Sequence, residues 1–586
     1  MGLFQKAMET YDYCKHLAGV QNSEYSEPLA PIGHITTNTN LEIVINQNGE
    51  FISASKVGKD KPKIVIPVTE GSAGRTSTKI CSHPICDQLG YIAPTNTAKY
   101  EEHVERLEDW INSDYSHPML IPILKYLKGK TVLDDLQSAN ISPQEKDIIR
   151  WVIVSPNEEE NGACWTNQSL FKAFTNYYLS QKAIEPHVLC MAEGISTPPA
   201  IQHAKGVVAM NGNAKLISSN DESGFTYRGR FTTDDQALTV GYVASQKAHN
   251  ALKWLIASQG TVYGGRTFLC WNPNGIKIVK ATGSLLKKSE EPIRVPSQYR
   301  KELSKAIMSY KNNFSPKDEA IIAIFDAATT GRLSVTYYNE LSAHDFLDKL
   351  EKWDSECCWS HVIYGISAPS LDAIANCAFG REVNDRIEAD EKILRQQIQR
   401  LITCKLNGTP MPYDIVSALC QKTANPFSYD KQLGKLQFTA CAVIRKYYLD
   451  KYKEEYKMAL EKNKKDISYQ YGRLLAVLEK AERDTYTNEG REPNAIRLMS
   501  AFCAHPAQTA ETIIKQLKNG YYHKLSVGAQ SYYEKMISEI YEILSDYSDA
   551  ERHAALKETY ILGYYLQKNA FYTKSNNEPE TDNENN

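Results

Sequence analysis

The side chains with the most chemistry to offer stand in three places. His344 and Asp345 form an HD dipeptide of the kind that metal-dependent phosphohydrolases use, but a catalytic metal needs more converging ligands. In SAHDFLDKL, Ser342 or Asp345 also fits a helix start. Cys81, His83 and Cys86 lie close together, with no second Cys/His pair nearby to complete a tetrahedral zinc site. Ser53 to Lys56 matches SxxK, a pattern short enough for chance to supply. The phosphate loop GxxxxGK[ST], the HExxH helix and the GxSxG elbow are missing. The expectation is no catalytic residue, no metal and no cofactor.

What the sequence does hold is the vocabulary of a nucleic-acid surface. Tyrosine supplies 36 of 586 residues, each with a stacking face and a hydrogen-bonding end. Residues 51–80 carry Lys56, Lys59, Lys61, Lys63, Arg75 and Lys79 against Asp60 and Glu70, and residues 275–305 hold eight bases against three acids. On a chain of formal charge −3, such patches fit local contact with a polyanion, and they equally fit solvated loops. In KAHNALKWLI, Lys247, Asn250 and Trp254 fall on one helical face, where a cation, an amide and an indole can meet phosphates and bases. The same spacing suits a core Trp254 beside a solvated Lys247. In KLISSNDESGFTYRGRF (215–231), turn formers Asn220 and Asp221 precede the forked donors Arg228 and Arg230, so the stretch reads either as a ligand loop or as an internally bonded one.

These residues need elements to place them. Leu41, Ile43 and Ile45 alternate toward Asn48-Gly49 and Phe51-Ile52, which predicts a hairpin. Ile64, Ile66 and Val68 predict a further strand. Phe268–Trp271 is expected to return through Pro273-Asn274-Gly275 to Ile276–Val279, and Ile321–Phe325 to pair with Leu333, Val335 and Tyr337 across Thr330-Gly331. Helices are expected near 98–112, 143–152, 166–181 and 246–258. Beyond 341 the helical period takes over, in stripes such as Tyr471, Leu474, Leu475 and Leu478, Ile537, Ile540, Tyr541 and Leu544, Ile496, Met499 and Cys503, and Leu556, Tyr560 and Tyr564. Asn519-Gly520 reads as a helix stop. The fold class is α+β, a large mixed α/β N-terminal region followed by an all-α C-terminal bundle. The expected divisions are 1–340, a mainly helical connecting region 341–460, a bundle 461–574, and an acidic, disordered tail 575–586.

Composition bounds the rest. With 42% hydrophobic and 23% charged residues the chain is globular, neither collagen-like nor wholly disordered. No apolar run approaches a membrane span, the N-terminus MGLFQKAMETYDYCKHL has no signal layout, and Lys6 breaks the myristoylation pattern. Thirteen scattered cysteines read as reduced thiols. A cytoplasmic protein without membrane partners is expected.

At KLISSNDESGFTYRGRF and VGYVASQKAHNALKWLIASQG (240–260) the sequence resembles one family, the large subunit of the type I-C CRISPR interference complex, the Csd-one or Cas-eight-c family of Cascade proteins. Further matches follow in the family's order: GRTFLCWNPNG (265–275), TTGRLSVTYYNEL (329–341), ECCW (356–359), CAVIRKYY (441–448), YQYGRLLAVLEKAE (469–482) and LGYYLQKNAFYTK (562–574).

The resemblance implies a non-catalytic antiviral subunit of a ribonucleoprotein. It would recognise the short motif flanking the target (the PAM), promote duplex opening and R-loop formation, and help recruit a helicase–nuclease. Its partners would be a guide RNA, double-stranded target DNA, the guide-handle-capping and backbone Cascade subunits, and small-subunit bundle copies translated internally. Of the two methionines near the bundle's start, Met499 would delete the Tyr471–Leu478 stripe, so Met458 is the expected one. Lys61, Lys63, Arg75, Thr76, Ser77 and Lys79 are the candidates for PAM contact. Lys215, Asn220, Arg228, Arg230, Lys247 and Asn250 are those for guide or target backbone, and Arg473, Lys480, Lys515 and Lys518 those for the displaced strand. The alternatives are a stand-alone metal-dependent nuclease using His344-Asp345 and a general nucleic-acid-binding scaffold.

Overall fold

The structure is a computed structural model that describes residues 2–572, except 22–24, 26, 59, 76–78, 210–211, 219–230, 232, 287–290, 328–330, 362, 364 and 488–489. The chain gathers into two units, Met1–Lys280 with Pro316–Ala343, and Ala281–Ser315 with His344–Asn586.

In the first unit, helix α1 (Leu3–Cys14) is followed by strand β1 (His34–Thr37) and the hairpin β2 (Leu41–Asn46) and β3 (Phe51–Lys56). The hairpin turns at Gly49, whose φ of +81° and whose closeness to the Pro122 carbonyl leave no room for a side chain. β4 (Ile64–Pro67) pairs antiparallel with β1. After helices α2 (Thr97–Ile111) and α3 (Leu120–Gly129), β5 (Ile149–Val154) runs parallel to β2, with Leu41 opposite Ile149. β6 (Gly162–Ala163) completes a sheet of order β3-β2-β5-β6, and α4 (Gln168–Lys182) follows. Ile43, Ile45, Trp110, Trp151, Ile153 and Phe174 fill this core.

A second antiparallel sheet follows helix α5 (Tyr242–Gln259). Its strands are β7 (Thr261–Tyr263), β8 (Arg266–Trp271), β9 (Glu319–Asp326) and β10 (Ser334–Ser342), in the order β10-β9-β8-β7. β8 and β9 are ladder neighbours, Trp271 opposite Ile321 and Arg266 opposite Asp326. Ala7, Tyr11, Ala248, Leu252, Leu269 and Ile321 pack α1 and α5 into the sheet's core.

The structure departs from the expected elements in two places. The run near 143–152 is not a helix: Ile149, Trp151 and Ile153 alternate inward as β5, because pairing with β2 buries them. Trp271 does not begin a local hairpin. The Pro273-Asn274-Gly275 turn forms, closed by a 3.0 Å bond from the Gly275 N–H to the Asn272 carbonyl, but residues 276–279 form no strand and β8 pairs with β9 and β7. The other two hairpins form, Phe325 lying opposite Val335, while Thr330 of the second turn falls outside the described residues.

The second unit is mainly helical, with α6 (Pro296–Lys311), α7 (Ala343–Glu356), α8 (Leu433–Tyr452), α9 (Ile467–Arg483), α10 (Pro506–Gly520), α11 (Val527–Ser545) and α12 (Tyr560–Tyr572) among its longer helices. It also holds small two-stranded ladders at Trp359–His361 with Gly365–Ser367 and at Arg381–Val383 with Arg386–Glu388. Residues 281–315 join this unit through buried polar anchors. Asp354 accepts from Ser284 Oγ at 2.9 Å and from the Leu285 N–H at 2.7 Å, while Lys405 Nζ donates to the Gly283 carbonyl at 2.8 Å.

α9 is the spine of the bundle: 14 of its 17 residues are buried, so neighbours surround it on every side. It crosses α12 at two glycines. A methyl on Gly472 would run into the Tyr560 carbonyl, and one on Gly563 into the Tyr469 carbonyl. Leu556 lies ahead of α12, so the expected stripe through Tyr560 and Tyr564 begins outside the helix. No helix among the described residues is long and apolar enough to cross a membrane. The cysteines are all free thiols, most of them buried.

Candidate nucleic-acid interface

The residue pattern that sets the site is an imbalance of lysine over available carboxylate in the first unit. A cleft of about 400 Å³ opens there, lined on one side by α5 through Gln246, Asn250 and Lys253 and on another by the loop Gln202–Gly206. Lys63, at the entry to β4, completes its cationic rim.

Among the described residues the cleft's two acids are already engaged. Glu27 pairs with Lys63 and accepts from Thr36 Oγ1 at 3.0 Å. Glu70 takes Lys182 at 2.8 Å and the N–H groups of Ile201 and Gln202 at 3.0 and 3.2 Å. Lys205 and Lys253 are left over, with Lys215 joined to Lys205 by an isolated antiparallel bridge. Among the described residues, no hydrogen bond or ion pair engages these three ammonium groups.

Desolvation acts on them accordingly. Burial pushes Lys253 down to about 8, with Glu27 partly opposing and Lys63 and Lys205 adding to the fall. Burial, then the Lys205 charge, lowers Lys215 as well. His203, whose Nδ1 lies 2.8 Å from Ser245 Oγ, is pushed down to about 4 by burial and by Lys215. His249 is pushed down to about 3 by burial, with His203 next. Both imidazoles stay neutral, so the positive charge here is lysine charge. Chemically, the cleft can hold an anionic group.

Several expected contacts are spent inside the fold. Arg75 forks onto Asp87, one N–H at 2.6 Å, donates to the Cys81 carbonyl at 2.9 Å and lies over the Tyr91 ring. Lys63 is held by Glu27, whereas Lys61 and Lys79 are exposed. Lys247 pairs with Asp12 at 2.8 Å. Asn250 is buried and donates to the carbonyls of Ala30 and Pro31 at 3.1 and 3.2 Å, and Trp254 is buried against Tyr25. The expected recognition face of α5 is thus an internal one, because its amide and indole meet protein first. Thr76, Ser77, Asn220, Arg228 and Arg230 lie outside the described residues.

In the bundle, Arg473 is buried and donates to Gln567 Oε1 at 3.1 Å, Gln470 Oε1 at 2.8 Å and the Lys462 carbonyl at 2.5 Å. It cannot also reach a strand in solvent. Lys480 is paired with Asp484, while Lys515 and Lys518 are exposed. His344 Nε2 sits 3.3 Å from the Phe314 carbonyl and Asp345 lies 3.8 Å from Lys349. No group of three or more His, Cys, Asp or Glu placed to hold a metal ion occurs among the described residues.

Lys205 and Lys253 were not among the residues singled out from the sequence. The signal for Lys253 was its place on the same helix, three residues beyond Asn250. That for Lys205 was a base within a stretch free of acids from 194 to 220.

A family model of CRISPR-associated proteins matches the chain over residues 9–572. The chain belongs to that family, described as CRISPR-associated protein (Cas_Csd1). No curated protein matches it.

Proposed function

We propose that this chain is the large subunit of a type I-C RNA-guided DNA surveillance complex, reading the PAM, promoting duplex opening and R-loop formation, and receiving the helicase–nuclease without cutting DNA itself. Family membership supports the CRISPR context. The observation that carries the nucleic-acid role is the pair Lys205 and Lys253 lining one cleft, with Lys215 bridged to Lys205, cations without carboxylate partners among the described residues. In such a complex base pairing reads the long sequence, and protein has only to read a few base pairs and hold backbone, which requires cations rather than a nucleophile. The exposed Lys61 and Lys79 remain the PAM-side candidates, with Thr76 and Ser77 between them. Bundle copies starting at Met458 would serve as small subunits beside the guide RNA, the handle-capping subunit and the backbone subunits.

The test is reconstitution of the complex with and without this chain, comparing binding to targets that differ only in the PAM. Discrimination is expected to vanish without it; discrimination that persists overturns the reading. Incubation of the chain with DNA and divalent metal ions addresses the nuclease alternative, where cleavage abolished by His344→Ala would replace this assignment.

A further inference from the structure

We propose that the cleft of the first unit binds one phosphate group of a nucleic-acid strand between the ammonium groups of Lys205 and Lys253. The inference rests on the surveillance reading and narrows it to one ligand group at one place.

Three observations lead there. The cleft is concave, and its volume of about 400 Å³ is nucleotide-sized rather than helix-sized. Its acids among the described residues are consumed, Glu27 by Lys63 and Thr36 and Glu70 by Lys182 and two backbone N–H groups, so neither can turn to Lys205 or Lys253 without breaking a bond it already has. Unpaired ammonium groups in a partly dry site are costly, and a phosphate's oxygens supply the missing acceptors in charge-assisted bonds. His203, neutral beside Ser245, and Thr267 also line the cleft and offer polar groups without adding charge.

The site carries its own pH dependence. Among the described residues the charged groups facing Lys253 are Glu27, Lys63 and Lys205, with the neutral His249 on its own helix. With the cleft empty, half of the Lys253 ammonium is discharged near pH 8. A bound anion favours the charged form, so binding above that pH takes up a proton and weakens as pH rises. Between pH 7 and 9 the affinity should fall about tenfold through this one group.

The experiment is calorimetric titration of the full chain with a short single-stranded oligonucleotide and, separately, with inorganic phosphate, in buffers of differing ionisation enthalpy. Oligonucleotide binding that phosphate displaces, and that weakens about tenfold in both Lys205→Gln and Lys253→Gln, supports the proposal. Lys253→Arg, whose charge does not titrate in this range, should bind while losing the proton uptake and flattening the pH profile. Oligonucleotide affinity unchanged in both glutamine variants overturns it, as does an unaltered pH profile in Lys253→Arg. Phosphate binding without oligonucleotide binding assigns the cleft to a free phosphate compound and overturns it too. If these results fail while the reconstituted complex still discriminates PAM variants through this chain, only the cleft assignment falls.

Discussion

Arg75 shows how a cation's neighbours decide its job. Its guanidinium carbon sits 4.5 Å from the Tyr91 ring centroid while its N–H groups fork onto Asp87, which is wholly buried. Removing one partner strands the other charge in the interior, so Arg75→Ala should cost about 3–5 kcal/mol of unfolding free energy. The complex that does assemble should keep its PAM discrimination; denaturant unfolding and target binding measure the two separately. Burial alone would raise the Asp87 carboxyl, but the Arg75 hydrogen bonds, and then the His83 and Arg75 charges, hold it below its ordinary value. A carboxyl depressed in the folded state stabilises above the usual carboxylate range and loses that contribution as pH falls through its folded value. Arg75→Ala should therefore move acid unfolding to higher pH. None of this was legible in the sequence, where Arg75 stood in a basic run and its acid lay twelve residues on. Arg473 was hidden in the same way, since its acceptor Gln567 arrives 94 residues later.

At the scale of elements, periodicity served well where a segment's partners were local and poorly where they were distant. The hairpin of β2 and β3 and the buried stripe of α9 follow from spacing alone. The run Ile148–Ile153 is apolar nearly throughout, a pattern that helix and strand share, and only pairing with β2 makes it a strand. The crossing of α9 and α12 was equally unreadable, because nothing local distinguishes a glycine that lets two backbones meet. Gly472→Ala and Gly563→Ala should each destabilise by about 1–3 kcal/mol or more, since the obstructing atom is backbone carbonyl and cannot rotate aside. Thermal melting of the full chain checks this. A product begun at Met458 keeps Asp466, whose side chain caps α9 by accepting from the Tyr469 N–H at 3.1 Å; one begun at Met499 loses the spine altogether. Mass spectrometry of the purified complex should find the longer fragment, and a product starting at Met499 in its place would count against an autonomous bundle built on α9.

For the molecule as a whole, the path of the chain matters more than any one helix. β8 and β9 are neighbours in one sheet, yet the chain between them leaves to dock by Asp354 and Lys405 and only then returns. Truncation after Ala343 should therefore yield an aggregating product with 281–315 stranded. The same truncation with a short linker joining Lys280 directly to Pro316 should restore a soluble first unit, as gel filtration would show. The excursion also governs what a protease can achieve. A nick at Lys280, Ser315 or Ala343 cuts the thread once, but a sheet ladder or a buried carboxylate on the far side still stitches the pieces together, so one break in the polypeptide would not set either half adrift.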